Sequence, residues 1–136
     1  MDSRAVRLDA EFKLLARFRS EIVREGDWFL LQDDQRARSL GWTPDPFPVA
    51  FHAQPKHPGQ APYGIYVPSD ARVRGQAPNN FQLNTANKPP FPGQWGVLSW
   101  TPERPGLPWQ PKTAIEEGAN LLNFFLTFQE RFDEGV

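Results

Sequence analysis

The chain predicts an α+β domain: an N-terminal helix, an antiparallel sheet of about four strands, a long irregular loop, and a C-terminal amphipathic helix packed on the sheet. Three observations predict it. All but one of the 15 prolines lie between Pro44 and Pro108, and the exception is Pro111, so a proline-dense middle separates two proline-free ends. Both ends repeat apolar residues at helical spacing, and the middle holds short alternating runs. Proline is excluded from helix interiors and central strands, so the middle reads as short strands joined by stiff, extended connections.

The 136 residues are enough for one core and read as a single domain over 1–136. Five Trp, two Tyr and eleven Phe supply that core with large side chains. The net charge is −1 with no basic run, which argues against a nucleic-acid partner. There is no cysteine, and Met1 is followed by the charged Asp2-Ser3-Arg4 rather than an apolar segment; the expectation is a cytoplasmic protein without disulfides. No apolar run is long enough to span a membrane. With only His52 and His57 and no thiolate, neither a metal site nor a cofactor is expected.

Leu8, Phe12, Leu15 and Ile22 form the stripe of a front helix over about 3–24, widened by Leu14 and Phe18. Arg4, Arg7, Lys13, Arg17 and Arg24, alternating with Asp9, Glu11 and Glu21, read as its solvated back face, and Gly26 as its stop. Residues 27–32 read as a first strand. Residues 48–53 read as the next, with Val49, Phe51 and Ala53 sharing a face, and residues 63–68 as a third. From Ser69 to Pro92 only Phe81-Gln82-Leu83 shows any pattern, so that span reads as a long loop, the kind of segment that carries function. The tail helix is expected over about 113–132. Thr113-Ala114-Ile115-Glu116 reads as its capping box, Leu121, Phe125, Phe128 and Phe132 form one apolar row, and Ile115, Ala119, Leu122 and Leu126 form the next. Phe124 falls off both rows; it reads either as a partner contact or as a slightly wider stripe.

Several residues then stand in a suggestive order: His57-Pro58-x-x-x-Pro62, a strand, the long loop, Gly96-Val97-Leu98-Ser99, Trp109-x-Pro111 and the tail helix. This order resembles the ubiquitin-conjugating enzyme superfamily, with its Tyr-Pro-x-x-x-Pro stretch, irregular active-site segment, Gly-x-x-Cys-Leu, Trp-x-Pro and closing helix. The likeness runs from about Ser3 to Phe132 and is nearest the divergent bacterial branches, which accompany ubiquitin-like modifiers. Pro58, Pro62, Gly96, Trp109 and Pro111 would be its structural motif. Where the family has tyrosine this chain has His57, there is no His-Pro-Asn triplet, and Ser99 takes the cysteine's place.

Thioester transfer needs a thiol that ionises near neutral pH, and a serine hydroxyl is a weak nucleophile without an adjacent base. The resemblance therefore implies a transferase that is disabled or weakened at Ser99. The sequence alone does not separate natural loss from an engineered Cys-to-Ser replacement. Asn87, one of several loop asparagines, is a weak candidate for the carbonyl-polarising amide of the family. A hydrolase reading of Ser99 with His52 or His57 fails for want of a Gly-x-Ser-x-Gly elbow. Trp95, Trp100 and Phe124 are candidate partner contacts. The implied partners are a ubiquitin-like modifier, an activating-enzyme-like protein and a second conjugating-enzyme-like subunit. The alternative is a non-catalytic adaptor of the ubiquitin-variant or RWD type.

Overall fold

The computed structural model describes residues 3–83, 88–100, 109–112 and 114–134. Its elements are α1 (Ser3–Phe18), β1 (Val23–Glu25), β2 (Trp28–Leu31), α2 (Gln35–Ser39), β3 (Trp42–Thr43), β4 (Val49–His52), β5 (Ile65–Pro68), β6 (Arg72–Val73), β7 (Phe81–Gln82), β8 (Trp95–Leu98), a 3₁₀ turn (Ile115–Glu117) and α3 (Leu121–Glu134). Helix, large antiparallel sheet and closing helix follow in the expected order. The sheet is six-stranded rather than four-stranded, in the order β1-β2-β4-β5-β8-β7, and β3 and β6 form a separate pair.

The two extra strands at the front and back have local causes. Helix α1 ends at Phe18, six residues before the expected limit, because Val23-Arg24-Glu25 pairs with β2 in the register Val23↔Leu30 and Glu25↔Trp28. Gly26 is the first residue of that two-residue turn and has φ 63°, a conformation glycine adopts without strain. Phe81-Gln82 pairs with β8, so the loop expected over 69–92 contains both β6 and β7. The Trp95–Leu98 stretch, which holds Gly96 of the motif and leads into Ser99, is an interior strand between β5 and β7.

Both faces of the sheet are covered, which is why β4 and β5 are buried at every residue instead of at alternate ones. On one face Phe29, Leu31, Val49, Phe51, Ile65, Val67 and Leu98 meet α1 and α3 in the main core. On the other, Leu30, Ala50 and Tyr66 form a smaller cluster against Trp28, Phe91, Trp95 and Val97. Phe51 centres the main core: its ring lies 5.5 Å from Phe29, 5.6 Å from Phe124 and 5.7 Å from Phe128.

Helix α3 begins at Leu121, later than the sequence suggests. Its N-cap is Asn120, whose side-chain oxygen accepts the Asn123 amide at 2.8 Å and whose amide donates to the Ile115 carbonyl at 2.6 Å. Thr113 lies outside the described residues, and Glu116 turns its carboxylate to Arg17 at 3.2 Å. Gly118 breaks any earlier helix. It is extended, and a Cβ there would stand 2.6 Å from the Gln110 carbonyl and 2.8 Å from the Lys112 amide. The Leu121, Phe125, Phe128, Phe132 row is buried as expected. The second row is not the expected one. Ile115 and Ala119 precede the helix and Leu126 is exposed, while Phe124 is fully buried, so the stripe widens toward Phe124. Among the described residues no helix is long and apolar enough to cross a membrane.

Truncating Phe128 to alanine should cost about 3–5 kcal/mol of unfolding free energy in urea titration, because the cavity opens under α3. Leu126→Ala, on the exposed face of the same helix, should stay within about 0.5 kcal/mol of the parent.

Candidate functional site

The residues of the sequence motif are brought together in part. The peptide before Pro58 is cis, and the Trp109 indole donates to the Pro58 carbonyl at 2.8 Å, so the Pro58–Pro62 turn and the Trp109–Pro111 segment are in contact. Trp109 also packs against the main core, and Pro62 is buried. Gly96 lies on β8 where a Cβ would meet the Phe81 ring at 2.5 Å, so glycine there admits the ring of the neighbouring strand.

Ser99 follows β8 directly and is half-buried. Its amide donates to the Asn80 carbonyl at 3.0 Å, which continues the β7–β8 ladder by one step. Asn80 has a positive φ of 53°, a backbone state that asparagine tolerates better than most residues. Asn79 offers its carbonyl to Arg131 of α3. These two loop asparagines therefore act through the main chain, as turn residues. Asn84 and Asn87 lie outside the described residues.

The candidate contact residues separate. Trp100 and Phe124 are both buried in the main core, and the Trp100 carbonyl accepts the Gly64 amide at 2.8 Å. Phe124 packs on Phe51 and Phe128, so it serves the core and offers no surface to a partner. Trp95 is half-buried on the opposite sheet face, its indole donating to the Phe91 carbonyl at 3.2 Å.

Neither histidine is placed as a base for Ser99. His52 belongs to β4, which β5 separates from β8, and its ring stacks on Trp28 at 4.3 Å. Burial holds its pKa below the usual 6.5, against a backbone hydrogen bond at Ala53 and the Asp27 charge, which pull the other way. His57 is fully enclosed, with Nε2 at 2.7 Å from Glu11 Oε2.

That contact belongs to a node absent from the sequence reading. Glu11, expected on the solvated face of α1, has no exposed surface. Its Oε2 accepts from Arg7 Nε at 2.9 Å, and its Oε1 accepts from the Leu121 amide at 2.6 Å, in the first turn of α3. Arg7 goes on to donate to the carbonyls of Lys112 at 2.6 Å and Ala119 at 3.3 Å. The signal was present in the spacing: Glu11 stands three residues after Leu8 and four before Leu15, on the apolar stripe itself. A second acidic anchor is Asp34, buried, which caps α2 through the Ala37 amide at 2.9 Å and accepts Gln129 of α3 at 3.0 Å. Beside it, Asp33 is held below the ordinary carboxylate range by its hydrogen bond to Arg38.

Both histidines are engaged away from Ser99, His52 with Trp28 and His57 with Glu11. Among the described residues, no three His, Asp or Glu side chains are grouped to hold a metal ion.

Glu11→Ala should destabilise the fold by about 3–5 kcal/mol in urea titration, since it leaves buried cationic and amide donors without their carboxylate. A second expectation concerns pH. Because the folded-state pKa of His52 lies below its unfolded value, the unfolded chain takes up the proton first on acidification. The His52 contribution is therefore intact above about pH 6.5 and declines as pH falls through the window below it. An NMR titration of the His52 ring should show a midpoint under 6.5, and a midpoint at or above that value would refute the burial argument.

Comparison of the chain with known protein families, curated proteins and solved structures finds no match in any of the three.

Proposed function

We propose that the chain is a ubiquitin-conjugating-like protein of a bacterial modifier pathway that binds a ubiquitin-like partner without relaying it. The observation that carries this reading is the Trp109–Pro58 hydrogen bond of 2.8 Å, which joins two pieces of the sequence motif 51 residues apart. The succession of α1, antiparallel sheet, Pro58 turn, Ser99 and α3 supports the same reading at the level of architecture, which carries less weight than a site.

Ser99 sets the chemistry. An unactivated hydroxyl does not attack a thioester at a useful rate, and His52 and His57 are both committed to other contacts. The placement of the histidines favours the adaptor form of the proposal, in which a second conjugating-enzyme-like subunit supplies the cysteine. An activating-enzyme-like protein is the other expected partner.

The test is to place a thiol at the position. With a cognate ubiquitin-like protein and activating enzyme, Ser99→Cys should form a DTT-sensitive adduct, while the parent chain forms none and still binds the modifier in a calorimetric titration. Binding without an adduct in Ser99→Cys would leave the adaptor form and remove the disabled-transferase form. Absence of both would sink the reading altogether.

A further inference from the structure

Where β1 turns into β2, three unlike side chains stand in one row across the sheet. Glu25 of β1 lies opposite Trp28 of β2, and Trp28 lies opposite His52 of β4, so all three share the thinner face. They also line one cleft of about 500 Å³, together with Asp27 and Pro90.

Each member of the row has a binding capacity that the fold leaves unused. Glu25 is exposed, and among the described residues no Lys or Arg pairs with it. The nearby charges are engaged: Arg4 holds Asp27 through both terminal guanidinium nitrogens at 3.1 and 3.2 Å, and Arg24 is bonded to Asp9 at 2.5 Å. His52 is only 8% exposed. Its one backbone hydrogen bond is at Ala53, whose amide already donates to the Asp27 carbonyl at 3.0 Å, so the imidazole N–H donates to the Ala53 carbonyl. A neutral imidazole bonded in this way keeps a lone pair on its second nitrogen, and burial keeps this ring neutral near pH 7. No side chain among the described residues hydrogen-bonds to it. Between the two stands the half-buried Trp28 indole, stacked on His52 at 4.3 Å and edge-on to Tyr66 at 5.0 Å.

A carboxylate without a counter-ion, an indole and a buried hydrogen-bond acceptor in one concave site suit a cation that carries N–H donors on an apolar stem. An anion would meet Glu25 and Asp27. Among the described residues no three His, Asp or Glu side chains are grouped for a metal ion. We infer that this cleft binds an organic primary ammonium, with Glu25 as counter-charge, Trp28 as the ring that meets its methylenes, and His52 as an N–H acceptor. The inference is independent of the reading of Ser99. A lysine side chain of a partner protein and a free alkylamine share this chemistry.

The test is an NMR titration of the intact chain that follows the Trp28 indole N–H and the His52 ring. n-Butylammonium should shift both saturably. Tetramethylammonium has the charge but no N–H, and should bind about tenfold more weakly or less. Glu25→Gln, at an exposed position where folding is not at stake, should weaken n-butylammonium by about tenfold, and Glu117→Gln, an exposed carboxylate elsewhere, should leave it unchanged. Tighter binding of Nα-acetyl-lysine amide than of n-butylammonium would assign the site to a protein lysine, and equal or weaker binding to a free amine. No saturable shift, equal binding of tetramethylammonium, or undiminished affinity in Glu25→Gln would overturn the proposal.

Discussion

The carboxylate of Glu11 ties the front helix to the start of the closing helix. A buried carboxyl group is tolerated only when its oxygens are met by hydrogen-bond partners, and here Arg7, His57 and the Leu121 amide meet them. The three donors come from the front helix, from the turn that carries Pro58, and from the start of the closing helix. The last is well suited to the task, because the amides of a helix N-terminus are unpaired and favour a negative charge. One side chain thereby helps set how α3 lies against α1. Burying the carboxylate among apolar residues costs desolvation that only this complete set of partners offsets, so the geometry is exacting rather than merely cohesive.

Around that node the sheet is a wall between two unequal aromatic layers. The thicker layer sets Phe51 between Phe29 of the neighbouring strand and Phe124 and Phe128 of α3, at distances typical of tilted and edge-on ring pairs. The thinner layer sets Trp28 and Tyr66 about the His52 ring, with Phe91 and Trp95 nearby. Ser99 sits where the strand between them ends. Its backbone is held by sheet pairing, through the Asn80 carbonyl.

How much of this was legible in the sequence depends on how local the cause was. The row of Leu121, Phe125, Phe128 and Phe132 was legible because helical period alone determines which residues face the sheet. Strands β4 and β5 were legible from the alternation of their side chains, Val49 and Phe51 on one face and Ala50 and His52 on the other. By contrast Val23-Arg24-Glu25 continues a helical pattern, and only pairing across Gly26 makes it a strand. Strand β8 was not legible because the ring that fills the space over Gly96 comes from Phe81, fifteen residues earlier in the long loop. The start of α3 depends on the close approach of Gly118 to Gln110, which no capping pattern reveals. Glu11 was the instructive miss: its charge suggested the solvent face, although its spacing put it on the apolar stripe. The burial of Phe124 and Trp100 likewise removed two of three candidate contact residues, since off-row position and nearness to Ser99 say little about which side of a sheet a ring occupies.

The bond from Glu11 to the Leu121 amide spans 110 residues of chain. On a ribosome, where synthesis proceeds at about 5–20 residues per second, the front helix emerges many seconds before its partner exists. Through that interval Leu8, Leu15 and a carboxylate meant for the interior have no α3 to cover them, and the same is true of the sheet face around Phe51. Closure of so long a loop is slow and yields its stabilisation only at the end. Until its final helix is free to dock, the nascent chain therefore keeps that apolar surface open to solvent.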